Sequence, residues 1–253
     1  MLRETTKKMK TEALKQFNIS VISNPMTLHN KAAEVLIRKF LKIVESKSDN
    51  LTIISGNLPE DILRNPKFDC YNIFYNNKNN SLIVKILKYL NMQIELAKGI
   101  CKKNRNINIV FFWISATLIL PMLVAKVIGL KTVLFVTGVP SINIKNKYPN
   151  FSRFALTLLK LMEKVNCFLA NQIAIETYNV VKYRKLERYK HKIVCLSLFV
   201  DTDEYDLRVP LNDRSDSIGY IGRLSPEKTP LPLLNAIPGI LDKKDIELII
   251  AGD

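Results

Sequence analysis

The chain is poor in the residues on which metal and disulfide chemistry usually rests. It has two histidines in 253 residues, His29 and His191, so a histidine-based metal site is not expected. Its four cysteines, Cys70, Cys101, Cys167 and Cys195, are widely spread and form no C-x-x-C pair. That spacing argues against a zinc site or a disulfide framework and for reduced thiols in a cytoplasmic protein. The first 14 residues are polar and basic and lack an apolar core, so they read as a basic leader and not as a secretory signal. No RNP motif, zinc finger or helix-turn-helix pattern is present, and a nucleic-acid partner is not expected.

Positive charge is what the sequence has in excess. The net charge is +15, and it is unevenly distributed. Residues 1–212 hold 33 Lys and Arg against 16 Asp and Glu, whereas residues 213–253 hold 5 against 7. A basic first part is attracted to anionic membrane surfaces or phosphorylated substrates, and a plain lysine-rich composition explains the same numbers.

Apolar segments of strand and helix period alternate along the chain. Strands are expected at Phe17–Ser23, Leu51–Ser55, Cys70–Phe74, Ile107–Ile114, Lys131–Val136, Cys167–Ala170, Lys192–Leu196, Ile218–Ile221 and Glu247–Ala251. Helices are expected over Lys31–Ser46, Ser81–Asn104, Thr117–Ile128, Tyr148–Val165, Gln172–Arg188 and Leu231–Leu241. In the second helix Ile83, Ile86, Leu87, Leu90, Ile94 and Ala97 share one stripe, read as the packed face, with lysines around the rest. In the fourth, Phe151, Phe154, Leu158, Leu159 and Met162 are read the same way. The basic side of Ser81–Asn104 is either a solvated surface or a surface for anionic lipid.

Ile109–Ala125 has no charge over 17 residues, close to the minimum for a membrane span. Pro121 interrupts it, Lys126 follows at once, and the run divides naturally into a buried strand and a helix. The expected fold is α/β: a Rossmann-like parallel-sheet domain over residues 15–212, its linker at the end, and the start of a second such domain over 213–253.

One stretch carries chemistry. Ile218–Ile221 is followed by Gly222-Arg223-Leu224-Ser225-Pro226-Glu227-Lys228, then by Thr229 as expected N-cap and Pro230 at the first helical position. Glycine lets backbone approach a ligand, a helix N-terminus favours phosphate, and Arg223 and Lys228 supply charge. On spacing alone this is equally an ordinary turn with two solvated cations.

The words G-R-L-x-x-x-K, with E-L-I-I-A-G-D about twenty residues on, resemble the donor-binding half of the GT-B glycosyltransferases, group 1 or family 4. The resemblance is specific at 218–228 and 246–253 and diffuse before that. It implies transfer of a sugar, with retention, from a nucleotide-diphosphate donor to an acceptor hydroxyl in cell-surface or lipid-linked glycan synthesis. Gly222, Arg223 and Lys228 would hold the donor diphosphate, without a metal or other cofactor. Asn24, Thr27, Thr137 and Gly138, at the ends of strands, would line the cleft. No catalytic base is named by the resemblance.

Thr229-Pro230 stands where that family often has Gly, and the family's E-x7-E pair falls beyond Asp253. The resemblance therefore implies a C-terminally truncated enzyme, with a separate chain as one source of the absent half, and the basic first part suggests peripheral contact at the inner face of a membrane. The other classes left open are a non-catalytic remnant and a basic, membrane-surface-binding α/β protein.

Overall fold

The structure, a computed structural model, describes residues 17–26, 31–76, 82–137, 152–196, 209–222, 224 and 228–252. The chain divides into two compact units, residues 1–199 and 200–253.

The first unit is built on seven parallel strands: β1 (Phe17–Ser23), β2 (Ser48–Gly56), β3 (Phe68–Ile73), β4 (Ile109–Trp113), β5 (Lys131–Val136), β6 (Gln172–Ile175) and β7 (Ile193–Cys195). Their order is β3-β2-β1-β4-β5-β6-β7. This is a doubly wound sheet. The direction of winding reverses between β1 and β4, where α/β sheets open a ligand crevice at their C-terminal ends.

Helices α1 (Lys31–Glu45), α2 (Glu60–Leu63), α3 (Leu82–Lys103), α4 (Ile119–Val127), α5 (Arg153–Leu169) and α6 (Asn179–Arg184) accompany the strands. Neighbouring strand residues face opposite ways, so the apolar strands feed two cores. Val21, Ile53 and Trp113 meet Ile37, Phe40 and Leu41 of α1. The Trp113 ring stacks between Phe40, 3.9 Å away, and Phe135, 4.6 Å away. On the other face Ile22, Ile54, Phe112 and Leu134 meet Met92, Leu96 and Ile100 of α3 and Met122 of α4. Helices α3, α4 and α5 pack side by side in that layer.

The uncharged run forms strand β4 and helix α4, as expected, and no described helix is long and apolar enough to cross a membrane. Two expected elements are corrected. Cys167–Ala170 is the last turn of α5 and the residue after it, and the strand lies at Gln172–Ile175. Asn171 makes the break: its Oδ1 accepts hydrogen bonds from Thr132 N–H and Thr132 Oγ1. The expected helix at 172–188 shrinks to α6, followed by a 3-10 turn over Glu187–Lys192.

The packed faces of two helices also differ from the expected ones. Ile83, Ile86, Leu87, Leu90 and Ile94 are exposed, and of the expected stripe Ala97 alone is buried. The buried side of α3 is Met92, Gln93, Leu96, Ala97 and Ile100. In α5, Phe154 and Leu158 face solvent and Leu159 and Met162 are half-buried, while Glu163, Asn166 and Cys167 are buried. Phe151 lies outside the described residues.

The second unit contains β8 (Ser217–Ile221), α7 (Pro230–Leu241) and β9 (Glu247–Ala251), with β8 and β9 paired in parallel. This strand–loop–helix–strand order is the expected one. Among the described residues of this unit none is buried.

Candidate functional site

At the reversal point of unit 1, the ends of β1, β2 and β4 are tied together by short polar side chains. The Ser23 and Ser55 hydroxyls lie 2.7 Å apart. Asn24 N–H donates to Ser115 Oγ at 3.0 Å, and that hydroxyl donates to the Trp113 carbonyl at 2.8 Å. Asn57, with φ 52°, donates to the carbonyls of Met26 and Tyr75 and accepts from Tyr75 N–H.

The segment after β4 is fixed from three directions. Tyr89 Oη donates to the Thr117 carbonyl, Gln93 Oε1 accepts from Leu120 N–H, and Asn166 Nδ2 donates to the Ala116 carbonyl. Ile114 sits there at φ 49°, a left-handed conformation costly for a β-branched residue. The loop is thus held in a strained form by three hydrogen bonds at the end of the sheet where α/β folds open a crevice.

Of the residues expected to line a cleft in this unit, Asn24 and Thr137 are at strand ends. Asn24 engages Ser115 through its backbone, and the Thr137 carbonyl accepts from Arg184 Nη2 at 3.0 Å. Thr27 and Gly138 lie outside the described residues. The sequence reading missed Ser115, Asn57, Asn166 and Arg184. It also missed Glu176, which directly follows β6 and whose carboxyl is pushed above the usual range by burial.

Arg184 is an enclosed cation. Its side chain is 4% exposed and stands 3.9 Å from Glu163. Burial pushes the Glu163 carboxyl up and the Arg184 guanidinium down, so desolvation outweighs their attraction across that distance.

In unit 2, Gly222 closes β8. Its N–H donates to the Ala251 carbonyl at 2.9 Å, and its φ of 155° is one that L side chains rarely adopt. A Cβ at Gly252 would run into the Gly222 carbonyl oxygen, so the two strand ends pass each other with no room for a side chain. Tyr220 Oη reaches the Lys228 carbonyl at 3.4 Å, bringing Lys228 back beside the strand end. Lys228 is exposed, and Arg223 lies outside the described residues.

Thr229 occupies the N-cap position of α7 but does not cap it with its side chain. Its backbone is left-handed, φ 47° and ψ 54°, whereas a capping side chain needs the extended region. Thr229 therefore leaves the start of α7 without an N-cap side-chain bond, and with proline at 230 and 232 the backbone N–H of Leu231 is the donor of its first three residues. Among the described residues no group of three or more His, Cys, Asp or Glu is gathered as a metal site would require.

Known structures share this architecture. HepE of Anabaena, crystallised with UDP and glucose, superposes with a TM-score of 0.58 over 93% of this chain, at 11% identity. A glycosyltransferase from Rickettsia africae gives 0.56 over 94%, at 20% identity. A UDP-glucosyltransferase from Polygonum tinctorium gives 0.53 over 92%, at 8% identity. The fold is that of the GT-B glycosyltransferases. The chain spans 62%, 61% and 65% of the length of these three proteins, respectively. No protein-family model matches the chain, and no curated protein matches it by sequence.

Proposed function

We propose that this GT-B chain serves a glycosyltransferase that moves a sugar from a nucleotide-diphosphate donor to an acceptor hydroxyl. The observation that carries the reading is the loop of unit 2. It has glycine at the end of β8, Lys228 returned to that end, and a helix start behind it that Thr229 does not cap with its side chain. In the reaction the bond between the anomeric carbon and the diphosphate oxygen breaks, and the acceptor oxygen takes that carbon and loses its proton. Negative charge grows on the diphosphate as it leaves. Lys228, Arg223 and the α7 dipole would meet it, an electrostatic stabilisation provided by the chain's own groups. Retention of configuration and the group 1 assignment rest on the motif resemblance. A thermal-shift titration with UDP and GDP tests the reading and identifies the base, since a ligand of the folded state raises the melting temperature with concentration.

Within this reading, Asn24, Thr137 and the strand-end rim of unit 1 serve the acceptor side. The layer α3–α4–α5 supports an acceptor held at an anionic membrane, such as a lipid-linked glycan. These helices carry nine Lys or Arg against two Glu, and they expose Ile83, Leu87 and Leu90 on α3, Val127 on α4, and Phe154 and Leu161 on α5. Apolar side chains among lysines are the composition of an interfacial surface. Sedimentation with phosphatidylglycerol vesicles, lost on Leu87→Glu with Leu90→Glu, tests this part.

A second reading is favoured by unit 2 itself. Ile221, Leu231, Leu234, Leu241, Ile249 and Ile250 are exposed, and two strands with one helix do not enclose a core. We infer that further strands, from the same protein or a separate chain, cover this face. Without them the chain would be a non-catalytic remnant. A well-folded chain that gives no shift with any nucleotide would favour that reading.

A further inference from the structure

A cavity of about 460 Å³ opens where the end of β3 meets the first turns of α3, lined by Phe74, Tyr75, Asn76, Leu87, Lys88 and Asn91. Its size is that of a small-molecule site. Hydrogen bonds fix its walls. Asn57 Nδ2 donates to the Tyr75 carbonyl at 2.7 Å, and Asn57 Oδ1 accepts from Tyr75 N–H at 3.1 Å, which fastens the segment after β3 to the strand-end rim. Lys88 Nζ donates to the Asn76 carbonyl at 2.9 Å, and Tyr89 Oη donates to the Thr117 carbonyl, which fastens the start of α3 on the other side.

The lining is of two kinds. Phe74, Tyr75 and Leu87 supply apolar surface, and Phe74 is 83% exposed and Leu87 60%. Asn91 supplies an exposed amide and Tyr75 a hydroxyl. A purely apolar ligand would cover the rings and leave the amide and hydroxyl without partners. A small ion would do the reverse. A sugar ring has C–H faces that lie on an aromatic ring and hydroxyls at its edge, so it meets both. Leu87 belongs also to the exposed apolar stripe of α3, with Ile83, Ile86 and Leu90, so cavity and stripe are continuous through that side chain.

We propose that this cavity binds a sugar ring of a glycolipid, the ring on Phe74 and hydrogen-bonded to Asn91, the apolar chain laid from Leu87 along α3. As an acceptor subsite it rests on the glycosyl-transfer reading and narrows it. Strand β3 is the edge of the sheet and two strands from β1, about 10 Å at the spacing of paired strands, which is more than the width of one ring. The ring held here is therefore not the one that reacts at the reversal point, and the acceptor carries at least two sugars.

The test is a chemical-shift titration of the isotope-labelled whole chain with three amphiphiles below their micelle concentrations: octyl β-glucoside, octyl β-galactoside, and tetraethylene glycol mono-octyl ether, which has the same tail and no ring. At least one glycoside is expected to bind about tenfold more tightly than the ether, shifting Phe74–Asn76 and Asn91. Phe74→Ala with Asn91→Ala, both exposed, should remove that tenfold advantage, the scale of one stacked ring and one hydrogen bond. Leu87→Glu should weaken all three.

Equal affinity for the ether and the glycosides overturns the sugar assignment, and glycoside binding that ignores the Phe74 and Asn91 changes overturns the site. UDP titration of the same samples separates this inference from the reading it rests on. A chain that binds UDP and no glycoside sinks the cavity and leaves glycosyl transfer standing. A folded chain that binds a glycoside through Phe74 and Asn91 but no UDP upholds the cavity and sinks its role as an acceptor subsite.

Discussion

Ser115→Ala removes one oxygen from the point where unit 1 joins the ends of β1 and β4. Ser115 is fully buried; its hydroxyl accepts from Asn24 N–H at 3.0 Å and donates to the Trp113 carbonyl at 2.8 Å. Alanine fits the space but strands the Asn24 donor in a partly buried position. An orphaned donor costs about 1–3 kcal/mol, so about 2 kcal/mol is expected. For a unit of this size each kcal/mol lowers the melting temperature by about 2–4 °C, which gives a fall of about 4–8 °C. Circular dichroism melts of the parent and of Ser115→Ala measure it, with Ser152→Ala, an exposed change, as control. A fall no larger than the control's would refute the view that the strand ends are held by this bond.

Other changes test separate parts of the account. Gly99→Ala ordinarily stabilises a helix by about 1 kcal/mol, but here the sign should reverse. The new Cβ would lie 2.6 Å from Tyr71 Cδ1 and 2.9 Å from Ile54 Cγ2, and overpacking of this kind costs about 1–3 kcal/mol in urea unfolding. Iodoacetamide at pH 8 should modify the exposed Cys101 and Cys195 and spare Cys70 and Cys167 until the chain is denatured. Burial pushes both of the latter thiols up to about 11, leaving about a thousandth as thiolate at that pH. Equal labelling of all four, read by mass spectrometry, would contradict the packing of β3 and α5.

Most of the strand positions were legible because a buried parallel strand is a continuous apolar run bounded by turn residues, as at Phe17–Ser23 and Lys131–Val136. The helix faces were not. Helices α3 and α5 have apolar residues on more than one side, and periodicity selects the strongest stripe wherever it points. Here that stripe faces outward, and polar Gln93 and Asn166 are buried because each bonds the backbone of the segment after β4. The β6 error has a local cause. Apolar Cys167–Ala170 looks like a strand, and Asn171, the residue that ends the helix, was the available clue.

In unit 2 the candidate residues could be named from spacing, because Gly222 and Lys228 lie within one loop. In unit 1 the site was not legible, because its bonds join residues far apart: Asn24 with Ser115, Ala116 with Asn166, Thr137 with Arg184. Such pairs follow from the strand order and register, which a single sequence does not display.

The central claim is that the Gly222–Lys228 loop receives a nucleotide diphosphate. Isothermal titration of UDP into the parent chain and into an Arg223→Ala, Lys228→Ala double variant tests it most directly. The account predicts saturable binding by the parent and a loss of at least about tenfold in the folded variant, the scale of charge-assisted contacts. Binding of equal strength in both, or none by a folded parent, would contradict it.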